Sequence, residues 1–145
     1  MDNFIERLMR LWTEPLPADD VALAAFREFY ADPVLVNGSP LSAAELIARA
    51  RVQQRAFVDL TIEIVDLAQT PDKLAVAFIQ RARHVGPLAT PLGELPATGQ
   101  LIERQVIDIL TLRAGKITEV RVVGDELGLL MRLGAVQLNP PPAQP

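Results

Sequence analysis

The sequence predicts an α+β fold, and three observations predict it. Apolar residues recur at the helical spacing as far as Phe57, alternation with a spacing of two takes over from Leu60, and turn residues separate the segments. Helices grouped ahead of strands argue for a sheet with helices packed on one face. Four strands joined by turns argue for an antiparallel meander.

The first segment, Phe4 to Glu14, carries Phe4, Ile5, Leu8, Met9, Leu11 and Trp12 at the helical period, with Asp2 or Asn3 as the N-cap. Pro15 and Pro17 end it. A second helix is expected from Val21 to Tyr30, stopped by Asp32-Pro33 because the residue before a proline is pushed out of the α region. Val34-Leu35-Val36 reads as a short strand or a pocket-edge loop ending at the turn Asn37-Gly38. The third helix, Ser42 to Phe57, is the best marked. Ser42 and Glu45 form a capping box, and Leu41 and Leu46 stand at the two positions of a hydrophobic staple.

Strands follow over Leu60–Leu67 and Leu74–Val85, joined by the turn Thr70-Pro71-Asp72-Lys73. A loop with Pro87, Pro91, Gly93, Pro96 and Gly99 leads to a third strand, Leu101 to Arg113. The stretch Gly115 to Gly134 supplies the fourth strand, Ile117 to Val123, then a glycine break and a short helix closed by Gly134. If that strand is regular, Ile117, Glu119, Arg121, Val123 and Asp125 share a face. Three ionisable side chains on one face then need an explanation.

At 145 residues the chain has room for one domain with a core. That domain is expected over residues 1–138. Asn139 to Pro145 has four prolines in seven residues and is expected to be a disordered tail. Half the residues are hydrophobic, yet no apolar run approaches the roughly 20 residues of a membrane span. The first residues lack the basic and apolar regions of a secretory signal, so the cytoplasm is the expected compartment. The absence of cysteine removes disulfides, thiolate catalysis and cysteine-ligated metals. A net charge of -4 argues against a nucleic-acid partner. Arg49, Arg51 and Arg55 are spread along an otherwise apolar helix and read as a solvated face.

Four places carry a resemblance. Phe57-Val58-Asp59-Leu60, Arg83-His84-Val85-Gly86 and Pro96-Ala97-Thr98-Gly99 look like Phe-Pro-Asp-Leu, Thr-His-x-Gly and Pro-x-Thr-Gly. Gly115-Lys-Ile-Thr-Glu119 and Asp125-Glu-Leu-Gly-Leu-Leu-Met-Arg-Leu-Gly134 look like Gly-Lys-Ile-x-Glu and Asp-x-Leu-Gly-Leu-Leu-x-Gln-Leu-Gly. In this order they resemble the SnoaL-like polyketide cyclase (ester cyclase) group of the nuclear transport factor 2-like superfamily. The resemblance covers nearly all of Phe4 to Val136. It implies a cystatin-like α+β cone, a strongly curved antiparallel sheet wrapped around N-terminal helices with a central cavity. Arg121 stands where the family commonly has Trp, Arg132 where it has Gln, and the loop from Gly86 to Pro96 is a few residues longer. An arginine in place of an aromatic wall suits an anion or an internal ion pair.

The resemblance also implies that Asp125 is a general acid/base in an intramolecular aldol closure, with no metal or cofactor. A carboxylate raised by apolar walls suits such proton abstraction. The competing reading is that Asp125 caps the short helix, which favours the charged form. His84, the only histidine, is either a donor to a substrate carbonyl or a satisfied structural group. Glu119 and Arg121, roughly 6.5 Å apart along a strand, can pair, while Asp125 lies about 13 Å from Arg121. A bulge would instead turn this face outward. Asn37, Tyr30 and Trp12 either line a pocket mouth or serve as a turn, a helix residue with its hydroxyl at the surface, and packing.

Three functions follow. The first is a cofactor-independent enzyme, a cyclase, isomerase or related acid/base catalyst for a hydrophobic carbonyl compound. The second is a module that binds a hydrophobic or anionic small molecule without catalysis, and the third is a dimerisation scaffold. Convergence of Asp125 and His84 on a deep pocket would separate the enzyme from the binder. A homodimer is expected from the resemblance and the apolar excess.

Overall fold

The structure, a computed structural model, describes residues 2–144, and of residues 2 and 3 the backbone alone. The side chains of Asp2 and Asn3, expected to supply the N-cap, lie outside what is described. Four helices, α1 (Asp2–Thr13), α2 (Asp19–Phe29), α3 (Ala43–Ala56) and α4 (Glu126–Arg132), accompany eight strands. These are β1 (Tyr30–Val36), β2 (Ser39–Leu41), β3 (Phe57–Gln69), β4 (Lys73–His84), β5 (Leu88–Thr90), β6 (Gly93–Leu95), β7 (Leu101–Arg113) and β8 (Lys116–Gly124). The α+β class is as expected, with one large, curved, open sheet. Residues 135–144 form neither helix nor strand, and no helix among the described residues is long and apolar enough to cross a membrane.

The sheet has six strands in the order β2-β1-β8-β7-β4-β3, and β5 and β6 form a separate hairpin. It is therefore more than a four-stranded meander, and its β1–β8 pair is parallel. Asp32-Pro33 hides β1 in the sequence, because proline breaks the strand pattern, and the register with β8 shifts between Tyr30 and Leu35. Helix α2 accordingly stops at Phe29. Tyr30 opens β1 as a buried residue, which corrects its placement as a helix residue with a surface hydroxyl. The two-residue turn between β1 and β2 puts Asn37 and Gly38 at φ 49° and 87°, the left-handed pair that tight hairpins favour.

Helix α3 starts as its capping box requires, with Ser42 Oγ accepting from the Glu45 N–H at 3.1 Å. Leu46, Ile47 and Ala50 of α3, Ile5 and Leu8 of α1 and Phe26 of α2 are buried against Val76, Phe78, Val106 and Leu110 of the sheet. A smaller cluster joins Ala56, Phe57, Ala82 and Ile102 to Leu129 and Leu133 at the α4 end.

Strand β8 is not regular. Its register on β7 passes from Thr111↔Glu119 to Leu112↔Ile117, so Thr118 is an extra residue. One added residue reverses which side chains face the core. Ile117 and Val120 both point inward, while Arg121 and Val123 are exposed on the outer face. The shared face read from Ile117 to Asp125 is thus corrected: Glu119, Arg121 and Val123 face outward without Ile117. Asp125 is already the cap of α4.

Candidate active site

Strand β7 carries the chemistry inward. Ile102, Val106 and Leu110 are buried core residues, and the alternation places Arg104 and Asp108 on the same face between them. They line a cavity of about 210 Å³ between the sheet and α1. Leu8 and Met9 supply apolar wall from the helix, as do Phe78, Val106 and Val122 from the strands. Polar groups gather at its two ends.

At the inner end, Asp108 stands in register between Val76 and Val122. Its Oδ1 is buried without a hydrogen-bond partner among the described residues. Burial raises its carboxyl from the ordinary 3.8 to about 6. Leaving a buried acceptor unpaired costs about 1–3 kcal/mol, so this carboxylate is held at some expense to the fold. Tyr30, also lining the cavity, accepts a hydrogen bond from Trp12 Nε1–H at 2.9 Å, which leaves its own O–H free to donate. Burial raises the Tyr30 pKa above the usual phenol value; the Asp108 charge adds to this and the Trp12 bond opposes it. The Tyr30 ring is stacked on Phe26 at 6.1 Å and lies edge to face with Trp12 at 6.5 Å. The hydroxyl is thereby fixed in direction.

At the solvent-facing end, Gln80 Oε1 accepts from both Nε and Nη2 of Arg104, the former at 3.0 Å. Arg104 Nη1 donates to Glu126 Oε1 at 2.8 Å. A Cβ on Gly124, also in the lining, would stand 3.0 Å from that Glu126 oxygen and 3.7 Å from Arg104 Cδ, so the glycine leaves room for the pair. Among the described residues, no three of His, Cys, Asp and Glu gather where they could hold a metal.

Of the seven residues singled out from the sequence, Trp12 and Tyr30 line this cavity. Asp125 is exposed, and its Oδ1 accepts from the Gly128 N–H at 2.9 Å as an N-cap does. His84 is fully buried, with Nδ1 bonded to Thr98 Oγ1 at 2.9 Å and accepting from the Thr98 N–H at 3.2 Å. It packs on Phe57, away from the cavity, and its Nε2 is buried without a partner among the described residues. Glu119 Oε1 and Arg121 Nε pair at 3.1 Å on the outer face. Asn37 exchanges two bonds with the Val122 backbone, at 3.0 and 2.9 Å, extending the ladder beyond β1. Asp125 and His84 do not converge, whereas Asp108 and Tyr30 line one cavity. Asp108 was missed because both faces of β7 read as apolar, Ile107 and Ile109 outward against Val106 and Leu110 inward. An acid alternating with core residues was the available signal.

The model of the family described as SnoaL-like polyketide cyclase matches residues 6–133. The chain belongs to the SnoaL-like polyketide cyclase family. Solved structures agree in fold. TsrD from Streptomyces laurentii superposes with a TM-score of 0.76 at 21% identity, over 93% of this chain and 95% of that one. A SnoaL-like polyketide cyclase from Agrobacterium tumefaciens gives 0.71 at 20%, over 92% and 96%. AclR from Streptomyces galilaeus, given as a candidate hydroxylase, gives 0.71 at 20%, over 97% and 90%. At these identities the likeness is one of fold, and the chemistry of this SnoaL-like chain has to be argued from its own cavity. A comparison with curated proteins finds no match.

Proposed function

We propose that this SnoaL-like protein is a cofactor-independent acid/base enzyme acting on a hydrophobic carbonyl compound, with Asp108 as the proton-transfer group in place of Asp125. The observation that carries the reading is Asp108, a largely buried carboxyl in the cavity lining with one oxygen that has no hydrogen-bond partner among the described residues. A pKa of about 6 suits a base working near neutral pH, mostly ionised yet basic enough to accept a proton. In the reaction, Asp108 takes a proton from the carbon next to a carbonyl, and the C–H electron pair moves into the enolate. Tyr30 O–H donates to the carbonyl oxygen as charge develops there, held in place by Trp12. Protonated Asp108 then returns its proton to the rearranged product or to the alkoxide formed on ring closure. A binding module has less support, because an unpaired buried carboxylate costs stability that a passive binder of apolar ligands need not bear. The expected partner is a second copy of this chain, across the outer sheet face.

The test is Asp108→Asn against Asp125→Asn on any substrate the wild type turns over. General acid/base catalysis contributes about 10²–10⁴-fold, and the Asp108 variant is expected to lose that much. The Asp125 variant should lose helix stability and keep kcat. Turnover by Asp108→Asn at the wild-type rate would remove the mechanism.

A further inference from the structure

We propose that the cavity selects a small carbonyl compound that also carries a carboxylate, with Arg104 receiving that carboxylate at the solvent-facing end. The inference rests on the acid/base reading for the reacting end of the ligand, and on Arg104 alone for the other. Size is the first constraint. A cavity of about 150 Å³ is known to hold benzene, so about 210 Å³ accommodates one ring with a short chain, on the order of ten heavy atoms. A fused multi-ring compound would extend beyond it through the solvent-facing end.

Charge is the second constraint. The Arg104 side chain is 15% exposed, and among the described residues its guanidinium is neutralised only by Glu126, whose side chain is 59% exposed. Its Nε and one Nη2 hydrogen are occupied by a neutral amide oxygen, and one Nη1 hydrogen by Glu126. Of five N–H donors, one on each terminal nitrogen remains. A half-buried guanidinium is better satisfied by a carboxylate that takes both remaining donors, and the exposed Glu126, on the first turn of α4 and held by one bond, is the weaker partner that such a carboxylate would displace. The spacing agrees. Arg104 and Asp108 are four residues apart on one strand face, ~13 Å between backbone positions, and the side chains take up part of the span. Val106, Phe78 and Ile62 supply apolar wall to the lining between them. A compound with a carboxylate at one end, an apolar middle and a carbonyl at the other fits this arrangement of groups.

The only tryptophan, Trp12, lines the cavity, so its fluorescence reports occupancy without any turnover. The probes are 3-phenylpropanoate and 3-phenylpropanamide, equal in size and different in charge, with anthracene-9-carboxylate as the size control. The carboxylate is expected to bind at least tenfold more tightly than the amide, and the anthracene compound not to saturate. Arg104→Gln should abolish the preference. Glu126→Gln should strengthen carboxylate binding severalfold by removing the competitor, whereas a merely structural Arg104–Glu126 pair would make that variant bind more weakly. Equal affinities in the wild type, saturation by neither small probe at millimolar concentration, or weaker binding by Glu126→Gln overturns the inference. These outcomes are independent of the rate lost in Asp108→Asn, which tests the acid/base reading alone.

Discussion

Asp108 links stability and activity in one side chain. Its carboxyl is raised in the folded state, from 3.8 to about 6, so between these pH values the native protein holds a proton that the unfolded chain has released. Stability is therefore greatest below about pH 4 as far as this group is concerned, and falls as pH rises through 6. Above that window the cost is on the order of 2–3 kcal/mol. Asp108→Asn removes the charge and keeps the shape. The variant should be more stable than the wild type at pH 8, with a gap that shrinks toward pH 4.5, as measured by urea unfolding at both values. A gap independent of pH would mean that the carboxylate is not strained by burial. Asp125 differs in each respect. It is exposed, capped onto Gly128, and a Cβ on Gly128 would fall 2.2 Å from its Oδ2. The Asp-x-Leu-Gly pattern thus has a structural reason in this chain, since the glycine makes room for the capping carboxylate.

At the scale of elements, what was legible in the sequence followed how local the cause was. Helix α3 could be placed because Ser42 and Glu45 satisfy its first N–H groups from within four residues. Strand β7 runs over Leu101–Arg113, the range read from the sequence. Strand β1 was half hidden because its pairing with β8 is parallel and distant, and neither leaves a local period. The bulge at Thr118 left no mark either, and it decided where Arg121 points. The candidate site suffers most from this, because it depends on which face of β7 turns inward. The junction between α3 and β4 offers a test of a local cause that the sequence showed only as one glycine in a motif. Val85 and Gly86 both donate to the Ala56 carbonyl, at 2.8 and 3.1 Å. A Cβ on Gly86 would stand 2.1 Å from the Arg55 carbonyl oxygen, a backbone atom that cannot swing aside. Gly86→Ala should cost about 1–3 kcal/mol in urea unfolding, the penalty of overpacking. An unchanged midpoint would mean that the strand exit is looser than its hydrogen bonds imply.

At the scale of the whole molecule, the helices cover one face of the sheet and the other face is left to solvent in a single chain. On that outer face Ile107 stands opposite Val123 of β8 and Ala77 of β4, and Ile109 stands two residues along. Ile107 is 56% and Val123 75% exposed. Ion pairs flank the row, Arg121 with Glu119 on one side and Arg81 with Glu63 and Glu103 on the other. An apolar patch rimmed by polar groups is the pattern of an interaction surface. The same strand carries Asp108 and Arg104 on its inner side, so a partner packed on Ile107 would stiffen the backbone that sets both. Ile107→Glu puts a charge at the centre of the row without touching the cavity. Sedimentation of the wild type at tens of micromolar is expected to give a dimer, and of the variant a monomer. The wild-type Tm should rise with protein concentration while the variant's stays constant, because association stabilises only the folded chain. A wild type that sediments as a monomer, or a variant that remains dimeric, would remove the outer face as the interface.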